Sequence, residues 1–156
     1  MPKFKFRTGI YEGEAVGNIP NGKGKLTFDN GDFYEGEFLD GNFHGNGKIY
    51  ITGIGSCDGL WVKNQFVKGK FTAASNRLPN HEAGAVYEGN FEYFILNGQG
   101  KMIRPNGEIH EGEFSNCRLN GKGKITLPDG TVIEGDFVDG LKKYEYTDED
   151  CPPQDL

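Results

Sequence analysis

The stretch Tyr34-Glu35-Gly36-Glu37-Phe38 belongs to a motif that recurs through the chain at a fixed spacing. Copies begin at positions 11, 34, 57, 87, 110 and 133, so the spacings are 23, 23, 30, 23 and 23 residues. A second motif, Gly45-Asn46-Gly47-Lys48 in this copy, follows eleven residues into each full unit. A third, such as Pro128-Asp129-Gly130, closes three of the units. A fixed period of this length indicates a repeat architecture in which each unit is one supersecondary element.

The residues within each unit alternate with period two, which predicts β-strands. In the second unit Tyr34, Gly36 and Phe38 fall on one face of a strand, opposite Glu35 and Glu37. Asn-Gly and Asp-Gly pairs between alternating segments predict hairpins with tight type I′ turns, in which both central residues have positive φ. The sequence therefore predicts an all-β protein, an elongated single-layer antiparallel meander of β-hairpin repeats.

Glycine is unusually frequent, at 25 of 156 residues against a usual share of about 7%. A glycine within a strand leaves bare backbone, and an aromatic ring from a neighbouring strand recovers burial by lying over it. We therefore expect Tyr and Phe rings to cover the glycines on one face. The other face pairs Glu with Lys across strands, and such exposed pairs contribute only about 0.2–1 kcal/mol each.

The pattern divides the chain into three parts. Residues 1–10 are predicted to form an N-terminal capping strand, residues 11–141 the repeat array, and residues 142–156 an acidic tail. The unit that begins at 57 is degenerate and carries Trp61 in a Phe position, and the unit that begins at 133 is partial. Extra residues within 74–82 predict a polar loop that bulges, kinks or binds.

Composition and charge exclude several classes of protein. A net charge of −6 and a pI near 5.1 argue against nucleic acid as a partner, because phosphate binding needs a basic surface. No apolar run approaches the ~20 residues of a membrane-spanning helix, and the N-terminus lacks the apolar core of a secretory signal. Cys57, Cys117 and Cys151 are far apart and without a CxxC motif, as expected for reduced thiols in a cytoplasmic protein.

No catalytic, metal or cofactor site is predicted. The glutamates recur with the hairpin period and have lysines opposite, as expected for a solvated face. The Gly-x-Gly pairs lack the strand–loop–helix context of a phosphate-binding loop. The histidines His44, His81 and His110 have no metal-ligand spacing.

The unit Tyr-Glu-Gly-Glu-Phe, followed by Asn-Gly-x-Gly-Lys and Pro-Asp-Gly, resembles the MORN repeat (membrane occupation and recognition nexus). The resemblance covers about residues 9–141, with good copies at 11–33, 34–56, 87–109 and 110–132. Within this family, the chain resembles the short MORN-only proteins, several of which are linked to cilia, flagella and the cytoskeleton. The resemblance implies a meander that binds proteins. It also implies lipid binding for some members, and catalysis only where a separate catalytic domain is attached.

We therefore expect a non-catalytic scaffold of a cytoskeletal, ciliary or flagellar assembly in the cytoplasm. Its expected partner is a protein, as an amphipathic helix or a second copy forming a homodimer, bound on the face of rings and glycines. The alternative is a membrane-surface adaptor that binds anionic lipid through the lysines. The residues predicted to contact a protein partner are Tyr11, Phe28, Tyr34, Phe38, Trp61, Tyr87, Phe91, His110 and Phe114.

Overall fold

The computed structural model describes residues 1–78 and 81–142, and these form strands and turns. The strands are Lys3–Phe6 (β1), Gly9–Val16 (β2), Ile19–Phe28 (β3), Phe33–Leu39 (β4), Asn42–Ile51 (β5), Gly55–Val62 (β6), Gln65–Ala73 (β7), Val86–Glu92 (β8), Ile95–Ile103 (β9), Ile109–Ser115 (β10), Arg118–Thr126 (β11), Val132–Val138 (β12) and Leu141–Lys142 (β13). Within this part of the chain, no helix is long and apolar enough to cross a membrane.

The strands pair in chain order, each antiparallel to the next, in one open 13-stranded sheet. This confirms the predicted all-β meander. The register places one glycine of each strand from β2 to β12 opposite a glycine of the next strand, in an unbroken line that we call the glycine row. Its members are Gly13, Gly24, Gly36, Gly47, Gly59, Gly69, Gly89, Gly100, Gly112, Gly123 and Gly135.

The sheet has two chemically different faces. The ring face carries Tyr11, Tyr34, Tyr87 and the other rings of the core, and the buried apolar side chains form one cluster there. The charged face carries the Glu and Lys residues that alternate with them along each strand, such as Glu12 and Lys25. The single hydrophobic core therefore lies on one side of a single layer.

The Asn-Gly and Asp-Gly pairs predict tight turns at one end of the hairpins, but the tight turns lie at the other end. Two-residue turns with positive φ at both positions occur at Asp40-Gly41 and Asn116-Cys117, among others. The Asp29-Asn30-Gly31 segment instead makes a longer turn between β3 and β4, in which only Gly31 has positive φ. Here the Asn30 side chain accepts a hydrogen bond from the Asp32 N–H at 3.0 Å, an Asx turn. The prediction of a hairpin was right, but that of its turn type was wrong.

The predicted N-terminal strand is present as β1, which forms one edge of the sheet. The predicted acidic tail lies outside the described residues, except for Lys142.

Candidate protein-binding face

The glycine row lets the rings lie directly on the sheet. The Tyr34 ring covers Gly47, where an added Cβ would overlap the phenol oxygen and lie 2.7 Å from Cε2. Tyr11 covers Gly24 in the same way, which confirms the predicted stacking. In the last repeats leucines take over this position, since a Cβ on Gly100 would lie 2.8 Å from Leu96 Cδ1.

In three of the four full repeats, the second glutamate of the motif holds the irregular end of the hairpin. The Glu37 carboxylate accepts a hydrogen bond from the backbone N–H of Asn46 at 2.6 Å, next to a break in register between Gly36 and Phe38. Gly45 makes room for this carboxylate, because a Cβ there, at a φ of +81°, would contact it. Two other repeats have the same hydrogen bond, from Lys23 to Glu14 and from Lys122 to Glu113. The sequence predicted these glutamates only as solvated charges.

Most of the rings predicted to contact a partner are buried by the chain itself. Those with exposed fractions of 0–6% are Tyr11, Tyr34, Phe38, Trp61, Tyr87, Phe91 and Phe114. Tyr34, for example, stacks on Phe43 with ring centroids 3.9 Å apart and donates a hydrogen bond to the Glu37 carbonyl at 2.8 Å. The strands of the chain itself therefore bury these seven rings. Their contact with a partner stays a prediction, and it would need the sheet to rearrange.

Phe28 and His110 complete the predicted set of nine residues. Trp61 is core, and its indole N–H donates to the Gly47 carbonyl at 2.9 Å. Phe28 and His110 are partly exposed, and His110 Nε2 lies 3.2 Å from a Glu108 carboxylate oxygen. Of the nine predicted residues, these last two offer surface on the ring face without rearrangement.

The insertion after β7 crosses the ring face. His81 is buried, packs against the rings of Phe71 and Tyr87, and brings Nε2 to 3.2 Å from the Phe94 carbonyl oxygen. Cys117 Sγ lies 3.4 Å from the same nitrogen. Because Phe94 is in the β8–β9 turn, at the opposite end of β8 from the loop, the loop and this turn meet over the ring face. The repeat pattern located the insertion but not the side of the sheet that it covers.

Ion pairs hold the far end of this loop. The Arg104 guanidinium, which follows β9, lies 2.8 Å from Glu82 and 2.6 Å from Glu108. The hydrogen bond with His110, followed by that with Arg104, lowers the pKa of Glu108. The Glu82 N–H also donates to the Tyr87 hydroxyl at 2.9 Å. The loop is therefore attached to the third and fourth full repeats as well as to its own unit.

A cavity of about 170 Å³ lies beside the crossing loop. It is apolar, and its walls are Ile49, Ile51, Ile54, Gly55, Cys57, Phe71, Leu78 and Phe94. Burial raises the pKa of the Cys57 thiol, which makes this cysteine an apolar wall residue rather than a thiolate nucleophile. An apolar cavity of about 150 Å³ is large enough for a benzene-sized group.

A shallow groove continues from the cavity along the edge of the ring face. Ile49 and Ile51 line both, and the groove extends to Phe28 and to the turn that holds Asp32. Asp32 is buried. Its carboxylate accepts hydrogen bonds from the Thr52 hydroxyl at 2.6 Å and from the Thr52 N–H at 3.1 Å. These two hydrogen bonds join the β3–β4 turn to the β5–β6 turn. These hydrogen bonds, the hydroxyl first, lower the pKa of Asp32.

On the charged face, one residue of each strand from β1 to β12 forms a line in which basic and acidic side chains strictly alternate. We call this line the charge ladder. It runs through Lys3, Glu12, Lys25, Glu35, Lys48, Asp58, Lys70, Glu88, Lys101, Glu111, Lys124 and Glu134. The ladder contains equal numbers of positive and negative charges. Opposite charges on adjacent strands favour this register.

The described residues contain no group of three or more His, Cys, Asp or Glu side chains that could hold a metal ion.

The MORN repeat family model matches residues 11–33, 34–53, 87–109 and 110–132. These segments make up more than half of the chain, which therefore belongs to the MORN-repeat family. The units that begin at 57 and 133, predicted as degenerate and partial, are the two that the family model does not match. No curated protein matches the chain at a significant level of similarity. MORN repeats are typically non-catalytic and occur in scaffolds that bind proteins or membranes.

Proposed function

We propose that this protein is a non-catalytic scaffold that binds a partner protein in the groove of the ring face. The observation that carries the proposal is the apolar cavity that opens beside this groove. Its partly exposed rim residues are Ile51, Ile54, Leu78 and Phe94. A partner that seats a leucine or phenylalanine there removes apolar surface from water on both sides, which is worth about 1.5–3 kcal/mol for one such side chain.

The partner that fits best is an amphipathic helix of another protein. Such helices bind in apolar grooves through side chains spaced three or four residues apart. One anchor would enter the cavity and the next would lie against Ile49 and Phe28, which line the connected groove. The buried tyrosines would then not contact the partner. They would stabilise the strands that form the groove.

The resemblance to short MORN-only proteins supports a cytoplasmic setting in a ciliary, flagellar or other cytoskeletal assembly. Proximity labelling with the full chain in ciliated cells, followed by purification of the recovered partners, tests this setting. Recovery of proteins from unrelated compartments alone would contradict it.

The groove is tested with two matched substitutions of an apolar residue by an acid. Ile54→Glu places a carboxylate at the cavity, whereas Leu60→Glu makes a similar change on the charged face, where Leu60 is 40% exposed. We expect Ile54→Glu to weaken partner binding by more than about 1 kcal/mol and Leu60→Glu to leave it nearly unchanged. Isothermal titration calorimetry measures binding, and the melting midpoint confirms that both variants fold. If Leu60→Glu abolishes binding while Ile54→Glu binds normally, the partner lies on the charged face.

The lysines of the charged face and of the N-terminus are the basis of the alternative, an adaptor for anionic lipid. Binding to acidic membranes gains about 1 kcal/mol for each basic residue near the surface. In the charge ladder, however, every lysine has acidic neighbours on the adjacent strands. We therefore expect little sedimentation with vesicles, whether or not they contain phosphatidylserine. Strong sedimentation only with the anionic vesicles would place the lipid function first.

A further inference from the structure

A second row of side chains runs beside the charge ladder on the charged face. The register places one residue of each strand from β2 to β12 in this row, two positions from the ladder residue and away from the glycine row. We call it the outer row. Its members are Ile10, Thr27, Phe33, Tyr50, Ser56, Thr72, Val86, Ile103, Ile109, Thr126 and Val132.

The outer row is mainly apolar, and every member is partly or fully exposed. Tyr50 is 42% exposed and Val132 49%. The rings of Phe33 and Tyr50 stack with centroids 6.1 Å apart, and Lys25 Nζ of the charge ladder lies 4.5 Å from the centroid of the Phe33 ring. A continuous apolar strip beside charged side chains is typical of an interaction surface.

The part of the sheet that carries these two rows is regularly paired. The breaks in register lie on the far side of the glycine row, as between Gly36 and Phe38 or between Gly112 and Phe114. Because a bulge bends its strand, the strands bend on that far side. The charge ladder and the outer row therefore lie on a regular sheet surface, of the kind that packs face to face against a second sheet.

The charge ladder limits what can cover this surface. Its charges change sign from each strand to the next, about every 4.8 Å, so a partner surface of one sign would meet like charges at every second position. A complementary surface must alternate with the same spacing. The same face of a second copy has that spacing, because it is built from the same strands.

We propose that two copies of this chain pack with their charged faces together, about a two-fold axis that runs parallel to the strands between β6 and β7. Each strand then faces a strand of the other copy whose ladder residue has the opposite charge, so that Lys70 faces Asp58 of the second copy. In the outer row, Val86 faces Tyr50 of the second copy. The small side chains of Ser56 and Thr72 meet at the axis, where they allow the sheets to approach.

The contact has the size and symmetry of a closed dimer. The spacings of a sheet give the two rows an area of about 700 Å² on each copy, close to the roughly 800 Å² per partner of a standard interface. A two-fold axis along the ladder would instead set every charge against its own copy, and like charges in an interface are repulsive. The dimer is independent of the proposed groove, because the ring faces of both copies stay open.

Sedimentation equilibrium of the full chain over a wide concentration range tests the proposal. We expect a monomer–dimer equilibrium with no larger species. Lys70→Glu and Asp58→Lys should each raise the dissociation constant of the dimer by about tenfold or more, because each sets two pairs of like charges against one another. Val86→Lys, in the outer row, should do the same. The matched control is Lys68→Glu, on the same face of the same strand but across the glycine row, and it should leave the dissociation constant unchanged.

Mixing the two charge variants gives the decisive result. In a dimer of Lys70→Glu with Asp58→Lys, the introduced glutamate faces the introduced lysine, and the unchanged Asp58 and Lys70 face each other at the symmetric position. Each variant should therefore be mainly monomeric alone, and the mixture should dimerise. Circular dichroism and melting midpoints establish that every variant folds. Three outcomes would overturn the proposal: a full chain that is monomeric at all concentrations, a dimer that both variants leave intact, or a mixture that stays monomeric.

Discussion

Replacing Gly47 by alanine should destabilise the protein, although a single methyl group is added on a strand that is otherwise unchanged. The new Cβ would overlap the Tyr34 hydroxyl and lie 2.7 Å from its Cε2, so the ring must leave the sheet. It then loses its hydrogen bond to the Glu37 carbonyl, worth about 1 kcal/mol. It also loses its stacking on Phe43, worth about 0.5–1.5 kcal/mol.

One term acts in the opposite direction. Alanine has less conformational freedom than glycine in the unfolded chain, which stabilises the folded state by about 0.4–1 kcal/mol. We therefore expect Gly47→Ala to lower the free energy of unfolding by about 1–2 kcal/mol. For a chain of this length that corresponds to a fall of roughly 2–8 °C in the melting midpoint. Urea unfolding followed by circular dichroism measures the free energy.

A double-mutant cycle tests the cause. A Tyr34→Leu side chain lacks the hydroxyl, Cζ and Cε atoms that the new methyl group would meet. In that background Gly47→Ala should therefore be neutral or slightly stabilising, which gives a coupling energy of about 1–2 kcal/mol. If alanine costs the same with leucine as with tyrosine at position 34, the ring is not the reason for the glycine and our account of the glycine row is refuted.

Three further predictions concern single side chains. Glu37→Gln keeps an acceptor for the Asn46 N–H and should cost less than Glu37→Ala, which we expect to lose about 1 kcal/mol in urea unfolding; equal losses would contradict a hydrogen-bonding role. Hydrogen bonds lower the pKa of Asp32, so its contribution to stability is complete above the unfolded pKa near 3.8 and is lost as the pH falls through the lower folded pKa. Asp32→Asn should therefore flatten the acid limb of the plot of stability against pH, and an unchanged limb would be evidence against this linkage. Burial raises the pKa of the Cys57 thiol and raises the pKa of the Cys117 thiol to about 11. In a Cys151→Ser background, both thiols should therefore resist Ellman's reagent at pH 8 until urea is added. Rapid labelling of the native protein would show that one of them is accessible.

The groove could not have been found from the repeat pattern alone. The pattern marks Tyr34 and its equivalents as the conspicuous side chains of the ring face, and it correctly assigns them to that face. It does not say how far each ring reaches, and the rings reach far enough to bury themselves over the glycine row. The surface that remains belongs to less regular positions such as Ile54 and Leu78, in a turn and in the insertion.

The charge ladder shows the same limit in another way. Glu and Lys can be seen to alternate within each hairpin from the sequence. Their strict alternation from Lys3 to Glu134 depends on the register between hairpins, which is a property of the whole sheet.

The amino-acid sequence by itself determined the strands, the hairpin unit, the antiparallel meander and the identity of the two faces. These depend on period-two alternation and on glycine and turn residues, which act over a few neighbouring positions. The tertiary structure alone decided which rings are buried, that the insertion crosses the ring face to meet Phe94, and that a cavity remains beside it. These features depend on contacts between residues far apart in the chain, such as Cys117 with His81, and no local pattern specifies such distances.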